Sequence, residues 1–189
     1  LADASDSAAD AVAALRRLSD SMDGSGDTSR LLTQLQSFCE EAAKACDDLT
    51  AGADALDRAL ALLGQGPAGP DTRQLRADIT ALRQAVRTLE DTISRALEEL
   101  SAGGTVTAAT RAELRKNLAD ILDGQTAVVR DFAEVITGTD FGALRDQNLE
   151  TLRQIARELR SAMNSAASAV GHMGKAMGYL SEALKTLKN

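Results

Sequence analysis

The sequence predicts an all-α protein: an elongated antiparallel helical bundle, or coiled coil, of about five helices forming a single unit over residues 1–189. Three observations carry this. Ala and Leu dominate an apolar content of 44%, while aromatics make up only 2%, so bulky layered cores are disfavoured and close helix seams are favoured. Most of the remaining residues are strong helix formers, and two prolines leave glycine clusters as the main breaks. The last third carries an apolar ladder whose steps alternate three and four: Leu149, Leu152, Ala156, Leu159, Met163, Ala166, Val170, Met173, Met177, Leu180, Leu184, Leu187. That period of about 3.5 residues keeps one narrow stripe facing a partner helix.

Taken in order, the first helix is expected over about 3–22, with Ala8, Ala11, Leu15, Leu18 and Met22 on one stripe. Gly24 and Gly26 end it, and Asp27 or Thr28 can cap the next. The second, about 28–63, runs along Leu35, Phe38, Ala42, Ala45, Leu49, Gly52, Leu56, Ala59 and Leu63. A Gly/Pro-rich stretch from Gly64 to Pro70 stops it. The third, about 71–101, is capped by Asp71 and buries Leu75, Ile79, Leu82, Val86, Leu89, Ile93, Ala96 and Leu100. The fourth, about 108–137, opens at Thr107, or at Thr110 with Glu113 as a capping box, and its seam is Leu114, Leu118, Ile121, Gln125, Val128, Phe132 and Val135. The fifth is expected over 140–188, starting at Thr139-Asp140. Short loops between long helices make neighbours antiparallel. The last helix then either overhangs the middle ones or packs against the first two in turn.

Gln125 interrupts an apolar seam. Either it is buried and fixes register at some cost in stability, or it faces solvent near a bundle end. Gly171, Gly174 and Gly178 lie beside the last ladder. Each costs about 1 kcal/mol relative to Ala in a helix interior, so the sequence favours close approach by another helix there, with a softened helix as the alternative. Met163, Met173 and Met177 read as adaptable core filling. Cys39 and Cys46 share one helix face about 10 Å apart, too far for a mutual disulfide. They read as buried small hydrophobes, with cross-links between chains as the alternative.

No catalytic, cofactor or metal site is expected. Gly64-Gln65-Gly66-Pro67-Ala68-Gly69 matches a dinucleotide-binding string literally, but it follows a helix rather than a strand and contains Pro67, so it reads as a linker. His172 is the only histidine, and it lies far in sequence from both cysteines. Adjacent carboxylates such as Glu40-Glu41, Asp47-Asp48 and Glu98-Glu99 diverge by about 100° on a helix and cannot converge as acid–base pairs. A serine–histidine pairing would have to use His172, with no strand-to-helix elbow to present the serine. The formal charge of −7, with no basic stripe or stacking aromatics, argues against nucleic acid and against anionic lipid. No run approaches the roughly 18–20 apolar residues that span a bilayer. The chain begins with Leu1, as a processed product or an excised piece of a larger protein would.

Several turns repeat an apolar-x-x-Gly phrase: Leu49-Thr50-Ala51-Gly52, Leu100-Ser101-Ala102-Gly103, Ile121-Leu122-Asp123-Gly124 and Val135-Ile136-Thr137-Gly138. The segment from Leu49 to Leu56 resembles one unit of the Leu-x-x-Gly heptad repeat in the extracytoplasmic regions of phage-infection-protein (Pip/YhgE-type) membrane proteins. That resemblance implies a non-enzymatic rod held between membrane anchors outside this segment. Such a rod would be an envelope scaffold that works through protein partners or self-association, with phage contact among its roles. It implies no catalytic residue and no cofactor. Two other classes fit a helical rod: a sensory ectodomain, which needs a polar pocket between helices, and a secreted helical effector.

Overall fold

The computed structural model describes residues 27–64 and 70–188, with side chains described as far as residue 183. The helix expected over 3–22 and the linker at 65–69 lie outside the described residues. Among the described residues there are four long helices: α1 (Asp27–Leu63), α2 (Arg73–Ser101), α3 (Ala108–Thr137) and α4 (Leu149–Lys188). A short 3₁₀ turn, Phe141–Asp146, precedes α4. Among the described residues there is no strand, so the all-α bundle expected from the ladders is the architecture observed.

Each break has a local cause. Gly64 and Gly103 end α1 and α2 in the left-handed region, at φ 66° and 78°, where a side chain would be strained. Asp71 accepts the Arg73 N–H at 3.0 Å, satisfying one of the free donors at the start of α2. Thr107 caps α3 by accepting the Thr110 N–H at 3.2 Å, while the Glu99 carboxylate takes the Thr107 N–H at 2.9 Å. The chain does not run as one helix from residue 140. Asp140 accepts the Gly142 N–H, which caps the 3₁₀ turn, and α4 restarts after Asn148, whose Oδ1 accepts the Thr151 N–H at 2.8 Å. Asn148 is the stronger cap because a full helix of good formers follows it.

Neighbours alternate in direction. Asp47 pairs with Arg83, and Asp54 with Arg76, so α2 runs back along α1. Thr92 meets Asn117 and Arg95 meets Glu113, so α3 runs back along α2. Arg58 pairs with Glu158 and Asp48 meets Ser168, so α4 is antiparallel to α1. Packing joins α3 to α2, α2 to α1 and α1 to α4. At about 1.5 Å per residue, α1 and α4 are about 55 and 60 Å long.

The seams of α1, α2 and α3 are buried as their ladders require, from Leu35 to Leu63, from Leu75 to Ala96 and from Leu114 to Val135. Gln125 is in the seam rather than at a frayed end, and its Nε2 finds no partner. The last helix departs from expectation. Its buried residues are Ile155, Ala162, Ala169, Ala176 and Ala183, a column one residue off the ladder, joined by Leu180 of the ladder itself. Leu149 (64% exposed), Met163 (56%) and Val170 (59%) face out. The physical reason is close approach. Gly52 on α1 has Ser165 of α4 and Phe132 of α3 against it, and a Cβ there would lie 3.5 Å and 3.1 Å from them. Only small residues allow two helix axes to come that near, so α4 turns its alanine column toward α1 and leaves the larger ladder at the side. Met163 is therefore not core filling, although Met173 and Met177 pack partly against the core.

The glycine strip is also corrected. A Cβ at Gly171, Gly174 or Gly178 would meet nothing within 4 Å, because these residues lie on the side of α4 away from its alanine column. No described helix approaches them. Gly174→Leu should accordingly raise the melting temperature, by up to about 1 kcal/mol in stability, since a better helix former enters open space. A lowered melting temperature would restore the close contact.

Candidate functional site

No cluster of catalytic residues is legible in the sequence, but the packing of the helices creates two polar constellations from residues far apart in the chain. The first follows a heptad column on each side of the α2–α3 seam. Asp78, Ala85, Thr92 and Glu99 on α2 stand beside the column Asp131, Gly124, Asn117 and Thr110 on α3. Glu99 accepts the Thr110 hydroxyl at 2.7 Å, and the Asn117 amide donates to Thr92 Oγ1 at 2.6 Å. At Gly124, a Cβ would lie 3.1 Å from Leu82 Cδ1, so glycine makes room for the leucine. The Thr107 N–H and the Thr110 hydroxyl hold the Glu99 carboxyl below its ordinary range.

At the upper end of that seam two carboxyls meet, Asp78 and Asp131. The Asp131 side chain is only 4% exposed, and one oxygen of each, Oδ2, is buried without a conventional donor. A proton on one carboxyl would supply the donor that the other lacks. Burial, and then the bond to Asp78, push the Asp131 pKa up, whereas the hydrogen bond from Asp131 holds Asp78 down. Arg130 lies 3.4 Å from Asp131 and 4.0 Å from Asp78 but is mostly exposed. Asp131 also lines a small cavity of about 180 Å³ with Pro70, Asp71, Gln74, Leu75, Glu134 and Val135.

The linkage has opposite signs for the two groups. A raised pKa at Asp131 contributes stability that is present below the ordinary carboxylate range and is lost as pH rises through the raised value. A lowered pKa at Asp78 contributes stability present above that range and lost as pH falls through the lowered value. Asp131→Asn supplies a permanent donor to Asp78. It should raise the melting temperature at pH 7, with the gain shrinking toward pH 4 as the native pair takes up a proton. A uniform loss at both pH values in thermal melts would contradict a proton between the pair.

The second constellation joins α1 to α4. His172 Nδ1 lies 2.7 Å from Glu41 Oε2, and Nε2 lies 3.6 Å from Asp48 Oδ2. The Ser168 hydroxyl donates to that same Asp48 oxygen at 2.6 Å, and Lys44 pairs with Glu41 at 3.2 Å. The hydrogen bond from His172 is the main cause that lowers the Glu41 pKa. Nδ1 makes the hydrogen bond of this group, to Glu41, while Nε2 lies beyond hydrogen-bond distance of Asp48. The serine gives its hydrogen bond to a carboxylate rather than to the imidazole, so no hydroxyl is activated as a nucleophile here. The cluster acts as a clamp between helices.

Other sequence candidates stay apart. Cys39 and Cys46 are free and buried, and burial pushes their thiols up to about 12 and about 11, which keeps them protonated and unreactive. Among the described residues no group of three or more His, Cys, Asp or Glu could hold a metal ion, and no helix is long and apolar enough to cross a membrane. The four apolar-x-x-Gly phrases serve different ends: Gly52 and Gly124 admit neighbouring side chains, while Gly103 and Gly138 lie at helix C-termini. The chain matches no family model, no curated protein and no solved structure.

Proposed function

We propose that this chain is a non-enzymatic helical rod that works through helix–helix contacts, as an extracytoplasmic scaffold or interaction region of a bacterial envelope protein. The observation that carries the interaction role is the uncovered ladder on α4, with Leu149, Met163 and Val170 each more than half exposed. Large apolar side chains repeated at heptad spacing on one helix face favour contact with another helix over contact with water. Both polar constellations fasten helix to helix, which suits a load-bearing rod. The envelope setting rests on the Leu-x-x-Gly resemblance around Leu49–Leu56.

The setting is tested with an introduced thiol. Cys39 and Cys46 are buried, so Ser161→Cys, at an exposed position on α4, supplies a single reactive thiol among the described residues. In intact cells producing the full-length protein, a membrane-impermeant maleimide is expected to label Ser161→Cys. Labelling only after lysis would overturn the extracytoplasmic setting.

A further inference from the structure

We propose that the face of α4 that no described helix covers is a docking seam for one helix of a partner protein, a helix with heptad-spaced apolar residues and acidic flanks. This deepens the interaction role proposed above and rests on it. The face is one column wide, Leu149, Ala156, Met163 and Val170, with steps of seven, all four exposed. Leu152 and Leu159, half-buried, lie between this column and the alanine seam, so a docking helix would complete an alternating three–four ladder.

Charge selects the partner. Arg153 and Arg160 fall four residues after Leu149 and Ala156, along the outer edge of the column, and Arg157 lies nearby. All three are exposed, and none forms an ion pair among the described residues. As a whole, α4 carries six Lys and Arg against three Glu, within a chain of formal charge −7. In a heptad seam the positions flanking the apolar ladder set partner choice through charge, and a basic flank selects an acidic one. Farther down the same edge the flank becomes Ala167 and Gly174, with open space at Gly174, so nothing bulky blocks a second helix. An anionic membrane is the less suitable occupant, because the column is narrow and the chain as a whole is negatively charged.

The test uses the full chain and two fluorescein-labelled synthetic peptides of four heptads. Both carry Leu at the two seam positions; one has Glu at both flanking positions and the other Lys. Fluorescence anisotropy at low salt is expected to show binding of the Glu peptide, weakened about tenfold or more by Arg153→Glu with Arg160→Glu. The Lys peptide should bind that double variant better than the native chain, and Met163→Glu should abolish binding of both. Circular dichroism checks that each variant keeps its helices.

No binding of the Glu peptide, or equal binding of both peptides to the native chain, would overturn the proposal. A native dimer in sedimentation that Met163→Glu dissociates would assign the face to a second copy instead. Co-sedimentation of the native chain with phosphatidylglycerol vesicles, lost in Met163→Glu, would assign it to lipid. Binding of the Glu peptide together with failed labelling of Ser161→Cys would remove the envelope setting and leave the docking chemistry standing.

Discussion

Leu82→Asp is expected to unfold the bundle. Leu82 is 1% exposed, and its Cδ1 fills the space that Gly124 leaves open on α3. Removing the side chain costs about 3–5 kcal/mol in lost burial and cavity, and the new carboxylate has no donor in that apolar seam. Together the two terms reach several kcal/mol, comparable with the lower end of the roughly 5–15 kcal/mol that stabilises an ordinary domain. Circular dichroism at 25 °C should therefore show strongly reduced helix. Arg76→Ala is the control. Arg76 bridges Asp54 and Asp57, yet its side chain is 40% exposed, so its removal should cost about 1 kcal/mol or less. If Arg76→Ala is the more damaging change, the α1–α2–α3 core is misplaced.

The second large effect is expected at Ala169. It is fully buried in the alanine column of α4, on the face that meets α1. Leucine is nearly as good a helix former as alanine, so Ala169→Leu leaves α4 intrinsically intact and acts through the interface alone. Three added carbon atoms must fit where helix axes are held close by alanine and glycine, and overpacking of this kind costs about 2–3 kcal/mol. Urea denaturation should show a lower midpoint with an unchanged slope. An unchanged or raised midpoint would mean that α4 does not dock through this column.

How far the fold could be read from the sequence is shown by these two helices. On α2, Leu75 to Ala96 form a stripe flanked by polar residues, so the apolar ladder and the buried seam coincide. On α4 the apolar arc spans three adjacent columns, and a reading by hydrophobicity alone follows the largest side chains, through Met163 and Val170. Burial is decided instead by how closely α1 can approach, which favours Ala162, Ala169 and Ala176. The approach depends on Gly52 and Ser165, residues 113 positions apart in the chain, and no local pattern joins them. The glycine strip was misleading for a related reason: glycine permits contact but does not supply a partner.

The polar constellations were hidden in another way. Glu41 and Asp48, or Thr92 and Glu99, are spaced by seven, a spacing that also describes an ordinary solvated column. They become clamps only because His172 and Asn117 arrive from other helices. The heptad repetition of polar residues on α2 and α3 together was the one available signal. His172 stands out in the sequence as the only histidine, but nothing near it in the chain points to Glu41 or Asp48.

The central claim is that α4 docks by its alanine column and leaves the column of Leu149, Met163 and Val170 open among the described residues. Thiol accessibility tests it most directly, because Cys39 and Cys46 are buried and supply a protected reference. Ala169→Cys and Val170→Cys place a thiol on adjacent residues that face opposite environments, fully buried against 59% exposed. In native buffer, Val170→Cys is predicted to react with a maleimide at nearly the rate of an unfolded-chain thiol, and Ala169→Cys only after denaturation. Rapid labelling of Ala169→Cys with protection of Val170→Cys would contradict the account.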